Sequence, residues 1–173
     1  MSGFMNRHGG KSDRDVLHYK ACGLDDVYLA NGFKREVLDG EKYIIVPDLD
    51  GLWKAIGLSL VSGRKVLAPR ELRFLREHMR MARAELAAKL RVAPQIVGRW
   101  ETGEDSVPGP ADLMIRVLFL ASDIAQPEGQ GVLKRLNVLV DDIVAYDEDV
   151  SRGIVFRHSN DKRAWTEARL ECA

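Results

Sequence analysis

Short segments rich in β-branched and aromatic residues occupy residues 16 to 46, and two turn-forming dipeptides separate some of them. Asn31-Gly32 and Asp39-Gly40 supply the positive φ angles that tight hairpin turns require. The pattern predicts a β-meander of three or four strands, built from the sequences VLHYK, DVYLA, FKREVL and EKYIIV.

A helix is predicted directly after this β-region. Its sequence, GLWKAIGLSLVSG, follows Asp50, whose carboxylate can accept hydrogen bonds from the first helical turn. Gly63 is predicted to end the helix. The apolar residues expected on its inner face are Leu52, Trp53, Ile56 and Leu60.

Residues 69 to 121 have the apolar spacing of consecutive short helices. Pro69 and Pro110 stand where first-turn prolines belong, and Thr102-Gly103 is predicted to end the third helix. The predicted helical sequences are RELRFLREHM, RAELAAKL, PQIVGRWE and ADLMIRVLFLA. Positions predicted to be buried in the first three are Leu72, Phe74, Leu75, Met79, Leu86, Ala87, Leu90, Val97 and Trp100.

A boundary is predicted at the sequence PEGQG, and residues 132–146 beyond it again have a helical period. The broad apolar face of this helix fits either a dimer interface or packing within the chain. The segments IVFRH and KRAWTEA flank a polar turn at Ser159-Asn160-Asp161 and predict a terminal hairpin.

The pattern as a whole predicts an α+β protein in which a central, all-α, five-helix domain is flanked by β-structure. The expected divisions are a disordered tail at 1–15, a β-meander plus helix at 16–65, the helical domain at 66–121, and a C-terminal helix and hairpin at 122–173. The last of these is a candidate dimerisation region.

Composition is typical of a globular protein, since 46% of the residues are apolar. No apolar run is long enough to cross a bilayer, and residues 1–15 lack the apolar core of a secretory signal. Two cysteines, Cys22 and Cys172, are too few for a disulfide scaffold and favour a cytoplasmic location.

The charges are unevenly distributed although the net charge is zero. Residues 64 to 99 hold ten basic and three acidic residues, a local charge of +7. Such a segment favours a polyanionic partner, and the alternative interpretation is a solvated helical face.

The segment from Met81 to Glu104 resembles the helix-turn-helix of the XRE/Cro family. That family has x-Q-x-E-L-A, a short turn, and a helix ending in W/Y/L-E-x-G, and the spacing is matched by Glu85-Leu86-Ala87, Val92, Val97 and Trp100-Glu101-Thr102-Gly103. The resemblance covers about twenty-four residues, and the flanking helices agree with the family's five-helix domain. It implies a DNA-binding domain whose third helix enters the major groove.

The resemblance implies roles for individual residues. Gln95 and Arg99 occupy base-reading positions, where Gln can contact adenine and Arg can contact guanine in bidentate fashion. Pro94 and Ile96 could contact a thymine methyl group. The residues expected to contact phosphates are Arg83, Lys89 and Arg91, and those expected to build the motif are Arg76, Glu85, Leu86, Ala87, Val92, Val97, Trp100 and Glu101.

Arg76 and Glu101 match a pair that bridges the first and third helices of the family's domain. Four residues depart from the family pattern. Arg83 replaces the usual Gln, which favours electrostatic anchoring over base contact. Ala82 and Ala93 stand where Ser or Thr usually caps a helix, which removes about 1 kcal/mol of local stabilisation at each. Gly98 within the third helix costs about 1 kcal/mol relative to Ala.

The string from His18 to Gly32 resembles a segment found ahead of the helix-turn-helix in regulators related to the MqsA-type antitoxins, and the likeness extends to residue 75. Zinc-binding members carry two CxxC pairs, whereas this chain has only Cys22, with His18 four residues earlier. Two ligands cannot complete a tetrahedral site. We therefore expect no metal or cofactor, unless a dimer supplies two further ligands.

The sequence contains no phosphate-binding loop, nucleophile elbow or HExxH motif. Its adjacent acids, Asp25-Asp26 and Asp141-Asp142, point apart on any regular element, so we expect no enzyme. The expected function is a homodimeric transcriptional regulator, a repressor that binds double-stranded DNA at a palindromic operator, with no membrane partner. The alternatives are an antitoxin that represses its own operon and binds a toxin protein, a phage-borne repressor, and an interaction scaffold that has lost DNA binding.

Overall fold

The computed structural model describes residues 16–123, 153–159 and 164–168, which form an α+β structure. The expectations for residues 1–15 and for a helix at 132–146 lie outside these ranges. The strands are β1 (Leu17–His18), β2 (Val27–Leu29), β3 (Lys34–Leu38), β4 (Glu41–Ile45), β5 (Ile154–Ser159) and β6 (Ala164–Ala168). The helices are α1 (Leu49–Gly63), α2 (Pro69–His78), α3 (Arg83–Leu90), α4 (Pro94–Thr102) and α5 (Gly109–Asp123).

The larger sheet has four strands in the order β1-β2-β5-β6. β2 runs antiparallel to β1 and parallel to β5, and β5 and β6 form an antiparallel hairpin. Val27 and Leu29 of β2 are fully buried, opposite Ile154 and Phe156 of β5. This sheet therefore joins the two ends of the described chain.

The predicted continuous meander is wrong, because β3 and β4 form a separate two-stranded hairpin. Asp39 and Gly40 both have positive φ at its turn, as the sequence predicted. Every residue of β3 and β4 is exposed. β3 carries three consecutive charged residues at its start, so it is poorly suited to the buried position beside β2 that the apolar strand β5 takes.

The other predicted turn, at Asn31-Gly32, contacts the C-terminal hairpin and is not part of a meander. The Asn31 side chain accepts a hydrogen bond from the His158 backbone N–H at 2.6 Å and donates one to the His158 carbonyl oxygen at 3.1 Å. Gly32 has a φ of +78°, and an added Cβ would lie 2.5 Å from the Trp165 ring. This position therefore requires glycine for both its backbone conformation and its lack of a side chain.

The helix α1 contacts β6, α2 and α5. Leu52, Ile56 and Leu60 are fully buried, as predicted, whereas Trp53 is only partly buried. The helix therefore links the sheet to the remaining helices through one continuous core.

The predicted N-cap of α1 is wrong by two residues. Asp48 caps the helix, because its Oδ1 accepts a hydrogen bond from the Gly51 backbone N–H at 3.1 Å. Asp50 lies in the first turn, where its negative charge still interacts favourably with the helix dipole.

Residues 66–121 hold α2 to α4 and most of α5, which ends at Asp123, and α1, which lies before that segment, contacts α2 and α5 as a fifth helix. Two predicted core positions, Met79 and Leu90, are only partly buried because they lie at the ends of their helices. None of the helices in the described ranges combines the length and apolarity needed to cross a bilayer. The buried positions that agree with the sequence pattern are Leu72, Phe74, Leu75, Leu86, Ala87, Val97 and Trp100.

The missing caps have a partial substitute in two of the short helices. Glu85 Oε2 accepts a hydrogen bond from the Ala82 backbone N–H at 2.7 Å, and Glu71 Oε2 does the same for Ala68 at 2.8 Å. The side chain in the first turn thus reaches back to the residue before the helix. Ala93, before α4, has no such side-chain bond.

Candidate nucleic-acid interface

The helices α3 and α4 pack against each other across a connection of three residues, Arg91 to Ala93. Ala87 and Val97 are fully buried, and the small side chain of Ala87 permits close approach. Arg91 has a φ of 56°, and the Val92 N–H donates to the Ala87 carbonyl oxygen at 3.0 Å, which closes the end of α3. The helix pair is therefore fixed by both core contacts and a closed turn.

The helix α4 presents one side to the core and the other to solvent. Val97 and Trp100 are buried, whereas Pro94, Gln95 and Arg99 are exposed. Gln95 and Arg99 are four residues apart, so they share a face of the helix. Ile96, the fourth residue expected to contact bases, is partly buried against the core.

The residues expected to contact phosphates lie at the two ends of α3. Arg83 stands at its start, Lys89 in its last turn and Arg91 just beyond, and all three are exposed. Within the described ranges, Lys89 and Arg91 form no ion pair. Their ammonium and guanidinium groups are therefore accessible to an anionic partner beside the exposed face of α4.

Glu101 connects three helices from a buried position at the inner side of α4. Its Oε1 accepts from Arg76 Nε at 2.5 Å, and its Oε2 accepts from Arg83 Nε at 2.7 Å. The structure thus contains the Arg76–Glu101 contact that the resemblance implied, and it adds Arg83, whose side chain is half exposed. A guanidinium has five N–H donors, so Arg83 keeps others for a phosphate.

The environment of Glu101 changes its pKa in a definite direction. Burial by itself raises the pKa of this carboxyl, but hydrogen bonds from Arg76 and Arg83 and their positive charges outweigh burial and hold the pKa below its usual value. The carboxylate is therefore ionised at neutral pH and serves as a permanent anchor for both arginines.

We expect Glu101 to make folding dependent on pH. Because its folded-state pKa is lower than that of the unfolded chain, its stabilisation is present above the unfolded pKa of about 4.3 and is lost as the pH falls through the folded pKa. The difference in free energy of unfolding between wild type and Glu101→Gln should therefore shrink from pH 7 to pH 3 in urea titrations. A difference that stays constant over this range would contradict the assignment.

The local excess of basic residues is smaller than the sequence count indicates. Arginines before and within α2 are neutralised by acids, in part by the adjacent pair Asp25-Asp26 from the β-region. The basic residues of the segment 64–99 that form no ion pair in the described ranges are Lys65, Arg80, Lys89 and Arg91, and the last three lie in α3 or in the turns on either side of it. The neutralising ion pairs are Arg64–Asp26, Arg64–Glu71, Arg70–Asp25 and Arg73–Glu77.

Arg99 is held by the loop that follows α4. Its Nε lies 2.9 Å from Asp105 Oδ2, and its Nη2 donates to Asp105 Oδ1 at 2.9 Å. Glu104 approaches the same guanidinium at 3.8 Å. Sequence reasoning missed this contact, although the left-handed Gly103 followed by two acids is the signal that could have indicated it.

The two candidate zinc ligands make other contacts. His18 Nε2 lies 2.6 Å from the Asp25 carbonyl oxygen, and the Cys22 thiol donates to the Tyr19 carbonyl oxygen at 3.4 Å. In the part of the chain that the structure describes, no three side chains of metal-binding type come together.

No protein-family model, curated protein or solved structure matches this chain. The assignment of function therefore depends on the surface formed by α3 and α4. That surface combines an outward polar face on one helix with basic residues on the other.

Proposed function

We propose that the protein is a sequence-specific DNA-binding transcriptional regulator, a repressor that binds a palindromic operator as a homodimer. The observation that carries this proposal is the exposure of Gln95 and Arg99 on one face of α4, while Val97 and Trp100 fix the opposite face in the core. The resemblance of α3, the turn and α4 to the XRE-type helix-turn-helix supports the same function.

The chemistry of this surface is suited to a duplex. The major groove is about 12 Å wide and admits one α-helix. Gln95 would read adenine and Arg99 guanine through bidentate hydrogen bonds, while Arg83, Lys89 and Arg91 would bind phosphates on either side of the groove. Phosphate contacts position the helix, and base contacts provide the specificity.

Two copies are required for a specific site because one recognition helix reads only a few base pairs. Proteins of this type bind two half-sites separated by about one helical turn, so a symmetric dimer pairs with a palindromic operator. Selection from a random duplex library, followed by sequencing, tests binding and symmetry together. The expected result is an enriched inverted repeat, and a library that remains random would overturn the proposal.

Arg83 is expected to contribute affinity without sequence preference. Arg83→Ala should weaken binding to the selected duplex and to random duplex by similar factors, and it should reduce the salt dependence by about one phosphate contact. Fluorescence anisotropy titrations at several salt concentrations measure both effects. Arg157→Ala removes an exposed arginine from β5 and serves as the control. If the two variants gave the same salt dependence, Arg83 would not contact phosphate.

A second candidate function is that of an antitoxin, and the hairpin formed by β3 and β4 favours it. A two-stranded hairpin has marginal stability in water, and clustered apolar side chains on a surface typically mark an interaction site. The exposed apolar side chains of this hairpin are Leu38, Tyr43 and Ile45 on one face and Val37 and Ile44 on the other.

Co-expression with the product of the neighbouring reading frame tests this second function. Wild-type protein should co-purify with that product and relieve its toxicity. The double variant Leu38→Lys/Tyr43→Lys, which changes the larger apolar face, should lose both effects while retaining binding to the selected duplex. A neighbouring product that is not toxic, or that does not co-purify with wild type, would exclude the antitoxin function.

A further inference from the structure

Arg99 and Asp105 are tied together by both backbone and side chains. The backbone N–H groups of Glu104 and Asp105 both donate to the Arg99 carbonyl oxygen, at 3.0 and 3.3 Å. Gly103, with a φ of +79°, turns the chain back at this point. The loop therefore returns the Asp105 carboxylate to the side chain of the residue six positions earlier.

The carboxylate of Asp105 engages only one edge of the guanidinium. Its Oδ1 accepts from one N–H of Nη2 at 2.9 Å, and its Oδ2 lies 2.9 Å from Nε. Of the five N–H donors of an arginine, this leaves both on Nη1 and the second on Nη2. Those remaining donors form the terminal edge of the fork, which is the edge suited to a bidentate contact with guanine O6 and N7.

We infer that Asp105 is a specificity-determining positioning residue, which fixes the plane of Arg99 so that its terminal edge faces guanine. This inference rests on the DNA-binding function proposed above. An arginine side chain loses considerable rotamer freedom when it binds. The contact with Asp105 restricts the rotamers of Arg99 already in the free protein, so less conformational entropy is lost on binding DNA. The terminal edge is then presented in one orientation.

The negative charge of Asp105 has a second consequence. It cancels the charge of Arg99, so this part of the surface attracts phosphates less strongly than an unpaired arginine would. Asp105 should therefore favour the specific site and oppose binding to other sequences. These opposite effects separate a positioning role from simple competition with DNA, in which Asp105 would weaken binding to every duplex.

The test compares Asp105→Ala with Glu104→Gln. Glu104 is a matched control because it lies in the same turn and its substitution removes the same charge, but its carboxylate approaches Arg99 only at 3.8 Å. Affinity is measured by anisotropy for the selected duplex, for random duplex, and for the selected duplex with 7-deazaguanine at each guanine in turn. Circular dichroism melting verifies that each variant is folded.

Asp105→Ala should lower the ratio of specific to random affinity by about tenfold. It should also abolish most of the affinity penalty that wild type shows when one particular guanine is replaced by 7-deazaguanine. Glu104→Gln should raise both affinities alike and leave that penalty intact. The inference is overturned if Asp105→Ala raises both affinities equally, if the ratio does not change, or if no guanine is sensitive in wild type. If wild type selects no duplex at all, the proposed function itself has failed.

Discussion

Asp112→Ala is expected to lower the free energy of unfolding by about 3–5 kcal/mol, because it leaves a buried arginine without its counter-ion. Arg116 is fully buried, and its Nε donates to Asp112 Oδ1 at 2.6 Å. Asp112 Oδ2 also accepts from the Leu67 backbone N–H at 2.7 Å, which links α5 to the segment before α2. The substitution therefore removes one ion pair and one buried hydrogen bond.

The remaining contacts of Arg116 cannot replace the carboxylate. Its Nη1 donates to the Val61 carbonyl oxygen at 2.9 Å, at the end of α1. Its Nη2 has no hydrogen-bond partner within the described ranges. A buried guanidinium with neutral partners alone is costly, and the expected loss is a large share of the 5–15 kcal/mol that stabilises a typical domain.

Urea unfolding followed by circular dichroism measures this loss, and Glu77→Ala provides the control. Glu77 pairs with Arg73 at the same four-residue spacing, but both side chains are more than half exposed. Its removal should cost less than about 1 kcal/mol. Equal losses for the two variants would show that Arg116 does not depend on Asp112 for its counter-ion.

Arg99→Ala is expected to weaken binding to the selected duplex by about 1–3 kcal/mol, or roughly 5- to 150-fold. Binding to random duplex should weaken less than binding to the selected duplex, because Arg99 contacts bases and not phosphates, and the uniform effect is only repulsion from the Asp105 carboxylate that the substitution leaves unpaired. Arg99→Lys keeps a positive charge but lacks the planar fork, so it should resemble Arg99→Ala at the specific site.

Competition titrations with selected and random duplexes measure both quantities, and repeated selection with Arg99→Ala shows which base loses its preference. The Arg157→Ala variant should leave both affinities unchanged. An unaltered consensus sequence for Arg99→Ala would show that the exposed face of α4 does not read the site.

Local features of the fold could be predicted from the sequence because neighbouring residues cause them. Pro69 and Pro110 stand in the first turns of their helices, and Asp39-Gly40 forms the turn of the hairpin that it was expected to form. The helical period also placed Val97 and Trp100 inside and Gln95 and Arg99 outside. Periodicity shows which side of an element is apolar, and this was sufficient to identify the candidate interface.

Periodicity does not show which element lies opposite that side. β2 and β5 are paired although Asn31 and His158, which join them, are 127 residues apart. The sequence assigned β2 to a local meander, because the pairing with β5 depends on burial of apolar side chains from both ends of the chain.

Electrostatic partners were likewise decided by the tertiary structure. A count of charges along the segment could not reveal that Asp25-Asp26 neutralises arginines near α2 or that Asp105 holds Arg99. The sequence by itself determined where α3 and α4 begin, which faces are apolar and which polar residues α4 exposes. Only the tertiary structure decided which charges meet, because attraction between ions depends on distance in space and not on separation along the chain.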